Sequence, residues 1–198
     1  MKKDSYFSRR ANTYQMESCR PPWSLLRSAE SKAIDRAMGD AAQKSILELG
    51  CGAGYHSKRY IEMAPRKLVA IDISKEMVNQ IKDPRIECIV GDAATIKLPE
   101  KFDLILSAGL LEFVKNVEDI FKNAREHALR QGKLVLLLPK PNIMGRIYQL
   151  YHKNNNVKVH LHNLEEIKNC ASRCGWVFEY KNTVFPLSVV LSFKVENI

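Results

Sequence analysis

The chain has 198 residues, 45% of them hydrophobic and 27% charged. That is ordinary globular usage at a length that supports one domain with a real core, and it argues against a fibre or a disordered chain. The net charge of +9 sits at the two ends: nine Lys/Arg against five Asp/Glu in residues 1–44, eight against four in residues 140–198, and a near-balanced fourteen against thirteen between them.

In chain order, the opening "MKKDSYFSRRANTY" is basic but has no apolar stretch, so it is not a secretory signal. No apolar run anywhere reaches the ~20 residues of a membrane span. The cysteines (Cys19, Cys51, Cys88, Cys170 and Cys174) are odd in number and form no CxxC pair. That predicts reduced thiols in a cytoplasmic protein and no bound metal. "PPWSLLRSAESKAIDRAMGD" predicts a leading helix begun by Pro21 and Pro22 and closed near Gly39.

Five short runs rich in Ile, Leu and Val follow: "SILELG" (45–50), "KLVAID" (67–72), "IECIV" (86–90), "FDLILS" (102–107) and "GKLVLLLP" (132–139). Continuous apolar runs of this length predict buried parallel strands. The segments "YHSKRYIEMA", "SKEMVNQIK" and "NVEDIFKNAREHAL" between them predict helices, with Ser74 at a helix start and Gly132 at a helix end. In "VKVHLH", Val157, Val159 and Leu161 share one face and Lys158, His160 and His162 the other, which predicts a short strand. A helix over 163–175 then leads to two runs separated by a short turn near Pro186. Such a pair must be antiparallel, because parallel neighbours need a long crossover. The fold class expected is therefore α/β: a doubly wound, mostly parallel seven-stranded sheet with an antiparallel last strand. Its expected divisions within a single 1–198 domain are N-terminal helices (1–44), a cofactor-binding half (45–139), an insert (140–163), and a helix with the terminal hairpin (164–198).

Gly50, Gly52 and Gly54 alternate where the first strand meets the next helix. In an open α/β sheet ligands bind beyond the carboxyl ends of the strands, and bare backbone there lets a ligand approach N–H groups. A dinucleotide fingerprint would place its third glycine at position 55, which is Tyr55, and no Walker lysine follows. NAD and nucleoside triphosphates are thereby disfavoured.

At these residues the sequence resembles the class I S-adenosylmethionine-dependent methyltransferases. "LELGCGAG" is similar to their first motif, "VAIDIS" to the second, "VGDAATIKLP" to the third, "FDLILSAGLLEFVKN" to the fourth and "LRQGKLVLLLP" to the fifth. The resemblance covers roughly residues 40–195. It implies S-adenosylmethionine as cofactor, with S-adenosylhomocysteine as product. Gly50, Gly52 and Gly54 would let its methionine portion lie on the loop, with Glu48 near its amino group. Asp72 would accept from both ribose hydroxyls, and Ile73 and Met77 would flank adenine. Asp92 and the Ala93 N–H would meet the adenine edge, and Ser107 would face the methyl-transfer site. Helix capping by Asp72 and a turn role for Asp92 remain the alternatives.

Methyl transfer needs positioning more than any universal catalytic residue. The resemblance puts the acceptor site in residues 1–30 and 140–163. "FSRRANTYQ" partly resembles the "F-D-x-x-A-x-x-Y-D" opening of small-molecule members, with Tyr14 as its tyrosine. Tyr14, Tyr148, Tyr151 and His152 are the candidates for the pocket and its chemistry. Between Glu126 and Glu165 there is no carboxylate, against six Lys/Arg and four histidines. That predicts a small acceptor bearing a carboxylate or phosphate, held by Lys158 and Arg146 among others, with RNA methylation as the alternative.

Overall fold

The structure, a computed structural model, describes residues 23–196. Its elements run α1 (Trp23–Met38), β1 (Ser45–Leu49), α2 (Tyr55–Tyr60) with a 3-10 turn (Ile61–Met63), β2 (Lys67–Asp72), α3 (Lys75–Val78), β3 (Glu87–Val90) and β4 (Phe102–Ala108). A second 3-10 turn (Leu111–Phe113) leads to α4 (Val117–Glu126), β5 (Ala128–Pro139), α5 (Ile143–Asn154), α6 (Leu164–Arg173), β6 (Trp176–Val184) and β7 (Ser188–Val195).

The strands make one seven-stranded sheet in the order β3-β2-β1-β4-β5-β7-β6. The first five pair in parallel, while β7 runs antiparallel to both β5 and β6. The reversal follows from the short turn between β6 and β7, which leaves no room for a crossover.

Side chains alternate across each strand even where every residue is apolar. Leu47, Leu49, Val69, Ile71, Ile105, Leu134 and Leu136 pack with α4 and α6 on one face, through Ile120, Phe121, Ala124, Ile167 and Ala171. Ile46, Leu68, Ala70, Leu104, Leu106 and Val135 pack with α1, Tyr60 and Ile61 on the other. Burial on both faces explains why these strands read as unbroken apolar runs.

Four local expectations need correcting. β3 is an edge strand whose residues are all partly or fully exposed, because only β2 pairs with it. The helix after β2 lasts a single turn, capped by Ser74 Oγ accepting from the Met77 N–H at 3.2 Å. Gly132 ends no helix; it lies inside the twelve-residue β5, near a register shift against β4. Residues 157–162 join no strand. Val157 and Val159 instead bury against Phe113 in a small separate cluster, and the His160 N–H donates to the Glu112 carbonyl at 2.8 Å.

Candidate active site

The order places β1 between β2 and β4, so the chain turns away in opposite directions on either side of it. A crevice opens at such a reversal, at the carboxyl ends of the strands. A cavity of about 720 Å³ occupies that place, within the usual range for ligand sites of ~300–1,000 Å³. Its walls come from the loop after β1, the end of β2, the loops after β3 and β4, the end of β5, and helices α1 and α5.

The loop after β1 is wound so that Gly50, Gly52 and Gly54 have φ of +76°, +53° and +79°. The Gly52 N–H donates to Asp72 Oδ2 at 2.8 Å, and the Ser74 N–H to Asp72 Oδ1 at 2.9 Å. Asp72 therefore ties the glycine loop to the start of α3 while still lining the cavity. Its pKa is raised by burial, opposed by these backbone hydrogen bonds. Ile73 and Met77 line the same wall, Ile73 half-exposed and Met77 buried against Ala53. After β3, Asp92 and Ala93 complete the far end, with Asp92 Oδ1 accepting from the Ala94 N–H at 2.9 Å.

Glu48 lies at the floor, buried, accepting from the Ser57 hydroxyl. Burial pushes its pKa up to about 7, which the Ser57 bond opposes. Beside it, Cys51 is buried and its thiol is pushed far up by desolvation. A thiol held neutral in that way is no nucleophile.

Two expected residues stand apart. Gly54 does not line the cavity. It caps α2 in the left-handed conformation, and a Cβ there would lie 2.6 Å from Ile81 Cγ1. The left-handed backbone and this close packing both exclude a side chain at 54. Ser107 is likewise absent from the walls. It is fully buried, and its hydroxyl has no hydrogen-bond partner. The next residues, Ala108 and Gly109, reach the cavity in its place.

Of the insert candidates, Tyr148, Tyr151 and His152 line the cavity, and His152 packs edge-on to both tyrosines and to Phe113. Arg146, Lys158, His160 and His162 do not. His160 and His162 stack on one another at 6.2 Å, and the His162 ring contacts the Leu111 carbonyl at 3.1 Å. Tyr14 lies outside the described residues.

Sequence reasoning missed Arg27, Glu30, His56 and Glu112, all of which line the cavity. Glu112 is buried; its pKa is pushed up to about 8 by desolvation, opposed by a backbone hydrogen bond and then raised further by Glu30. Glu30 accepts from the Ser188 hydroxyl and is also raised by burial. His56 is lowered to about 4 by burial, so it is neutral at pH 7. Arg27 lies over the Tyr55 ring, 4.8 Å from its centroid. Glu112 had a pointer in its place in the segment after β4, and Arg27 and Glu30 lie within the 1–30 range expected for the acceptor site, but no feature of the sequence singled out His56.

With this geometry in view, residues 47–136 match the family model described as "Methyltransferase domain". Over this segment, just under half of the chain, the protein is similar to a methyltransferase domain. The matched residues run from β1 into β5 and include the glycine loop, Asp72, Asp92 and Glu112. Malonyl-[acyl-carrier protein] O-methyltransferase of Bacillus cereus is 26% identical over 103 residues, 48% of this chain and 38% of that protein. An uncharacterized methyltransferase-like protein of Schizosaccharomyces pombe is 35% identical over 95 residues, 46% of this chain and 37% of that one. The chain thus spans under half the length of these relatives. Magnesium protoporphyrin IX methyltransferase of Synechocystis PCC 6803, with bound S-adenosylhomocysteine, superposes with a TM-score of 0.77 at 14% identity, covering 98% of both chains. An S-adenosylmethionine-dependent methyltransferase of Mesorhizobium loti gives 0.75 at 19% identity, covering 85% of this chain and 99% of that one. The methyltransferase fold therefore extends beyond the matched domain to nearly the whole of the described chain.

Proposed function

We propose that this protein transfers a methyl group from S-adenosylmethionine to a small-molecule acceptor. The observation that carries the proposal is the convergence of the glycine loop, Asp72, Asp92 and a second, carboxyl-bearing wall on one cavity. The residues fit the donor. A Cβ at Gly52 would meet nothing within 4 Å, so the bare loop leaves room for a ligand along it. Each Asp72 oxygen accepts one backbone N–H and keeps a lone pair for a ribose hydroxyl. Ile73, Met77, Asp92 and Ala93, which line one end of the cavity, would hold adenine, and Glu48 would stand near the methionine amino group. When bound, the donor supplies an already activated methyl on a sulfonium, so the chain's own task is to orient the acceptor and exclude water.

The acceptor end is built from Leu26, Arg27, Glu30, Glu112, Tyr148 and His152. Glu112 and His152 stand where a nucleophile could lose its proton to them, and a carboxyl poised near neutral pH suits that task. With Glu112 holding its proton near neutral pH and Glu30 also raised by burial, the acceptor end favours a neutral acceptor, or a cationic one whose charge draws a proton off a carboxyl. The cations that pointed to an anionic one, Lys158 and Arg146, lie outside the cavity. RNA is not favoured either, since its phosphates would have to come up to the carboxyls of Glu30 and Glu112 at the acceptor end.

Calorimetry and a labelled-methyl assay test the proposal. Both S-adenosylmethionine and S-adenosylhomocysteine should bind, and NAD should give no heat. Methyl transfer is then assayed on pooled amines, neutral metabolites, carboxylates and total RNA. NAD binding with no heat from either sulfur ligand would overturn the cofactor. Transfer to RNA and to none of the small molecules would overturn the acceptor class.

A further inference from the structure

The basic stretch between Glu126 and Glu165 is not consumed by the cavity, since Arg146, Lys153 and Lys158 do not line it. Its helix, α5, is turned the opposite way from an ordinary surface helix, which buries its apolar stripe. With about 100° between successive residues, Ile143, Met144, Ile147, Leu150 and Tyr151 share one arc about 120° wide. They are 77%, 41%, 55%, 58% and 52% exposed. The opposite side, Gly145 and His152, is the buried one. Gly145 is seated so closely that an added Cβ would lie 1.9 Å from the Lys140 carbonyl oxygen, so α5 cannot simply roll its apolar arc inward. Arg146 and Lys153 fall together on one flank of that arc.

The β6–β7 turn extends the patch. Phe185 is 86% exposed, and its turn is tied to the start of α5 by the Asn142 side-chain amide donating to the Pro186 carbonyl at 3.0 Å and the Lys140 N–H to the Leu187 carbonyl at 2.7 Å. Single exposed apolar residues need no explanation, but a contiguous group of this size marks an interaction site.

We propose that this face docks on an anionic membrane surface, with α5 lying in the headgroup layer. Ile143, Met144, Ile147, Leu150, Tyr151 and Phe185 would insert, and Arg146 and Lys153 would meet lipid phosphates. An outward apolar face beside basic residues is the pattern of an interfacial helix, and the absence of carboxylates from 127 to 164 suits a negative surface. A second copy of the chain fits less well, because a two-fold contact brings the same basic flank onto itself. RNA would leave the apolar arc unused. The contact is peripheral, as no helix among the described residues is long and apolar enough to cross a membrane. Tyr151 belongs both to the exposed face and to the cavity wall, so docking sets the cavity rim at the interface.

The test is co-sedimentation of the full chain with vesicles of phosphatidylcholine, with and without phosphatidylglycerol, at two salt concentrations. The protein should partition onto the anionic vesicles and less so at high salt. Ile147→Asp/Leu150→Asp should reduce partitioning at least ~10-fold, and Arg146→Gln and Lys153→Gln about fivefold each. All these positions are exposed, so melting temperature and S-adenosylhomocysteine affinity should stay as in the parent. Absence of partitioning, or unchanged partitioning of the aspartate variant, would overturn the proposal. So would a dimer that the aspartate variant dissolves, or binding to polyglutamate without binding to vesicles.

Discussion

Replacing Gly54 by alanine should lower the stability of the protein and leave its affinity for S-adenosylhomocysteine nearly intact. Gly54 has φ +79° at the start of α2, and an L-residue in that region costs roughly 1–2 kcal/mol. The new methyl would also lie 2.6 and 2.8 Å from Cγ1 and Cδ1 of the buried Ile81, an overpacking worth roughly 1–3 kcal/mol. The sum is about 2–5 kcal/mol, which for a chain of this size lowers the melting temperature by about 5–20 °C. Thermal unfolding followed by circular dichroism, with calorimetry for the ligand, reads both quantities. Adding Ile81→Ala should relieve the steric part alone, so the double variant should be more stable than the two single costs together imply. Gly52→Ala should behave the other way. Its φ is +53° and nothing lies within 4 Å of the added carbon, so stability falls by only ~1–2 kcal/mol, but the methyl enters space on the cavity wall and affinity drops sharply. A Gly54→Ala variant with unchanged melting and lost ligand binding would refute the packing account and return Gly54 to the ligand.

Glu112→Gln should change how stability depends on pH. The Glu112 carboxyl is raised from 4.5 to about 8 in the folded state, so between those values the native protein holds a proton that the unfolded chain has lost, and stability falls as pH rises. The glutamine variant should flatten that slope by up to about 1.4 kcal/mol per pH unit, measured by urea unfolding from pH 5 to 8. An unchanged slope would mean that Glu112 is not desolvated. Asp72→Ala should weaken S-adenosylhomocysteine binding and stability more than Asp92→Ala, because Asp72 holds two backbone N–H groups and Asp92 one. Leaving a buried donor unpaired costs ~1–3 kcal/mol, and the more exposed Ala94 N–H can turn to water. Calorimetry and melting curves showing equal, small effects would mean that both residues only shape turns.

Much of the fold was legible from residues 45–139, because a strand covered on both faces is apolar along its centre, as residues 46–47, 68–71, 104–106 and 134–138 are. The reversed β7 followed from the length of one turn. The glycine spacing, with Asp72 and Asp92 behind it, pointed to the cavity because loop conformation and strand ends are local properties. The roles of Gly54 and Ser107 were not local: whether each meets ligand or core depends on Ile81 and on which face of β4 turns inward. Glu30 and Glu112 are far apart in sequence and act on one another only because α1 and the turn after β4 meet over the same crevice. The apolar residues of α5 have helical spacing whether they face the core or the solvent. Periodicity reports that a stripe exists, and only the seating of Gly145 against Lys140 decides which way it points.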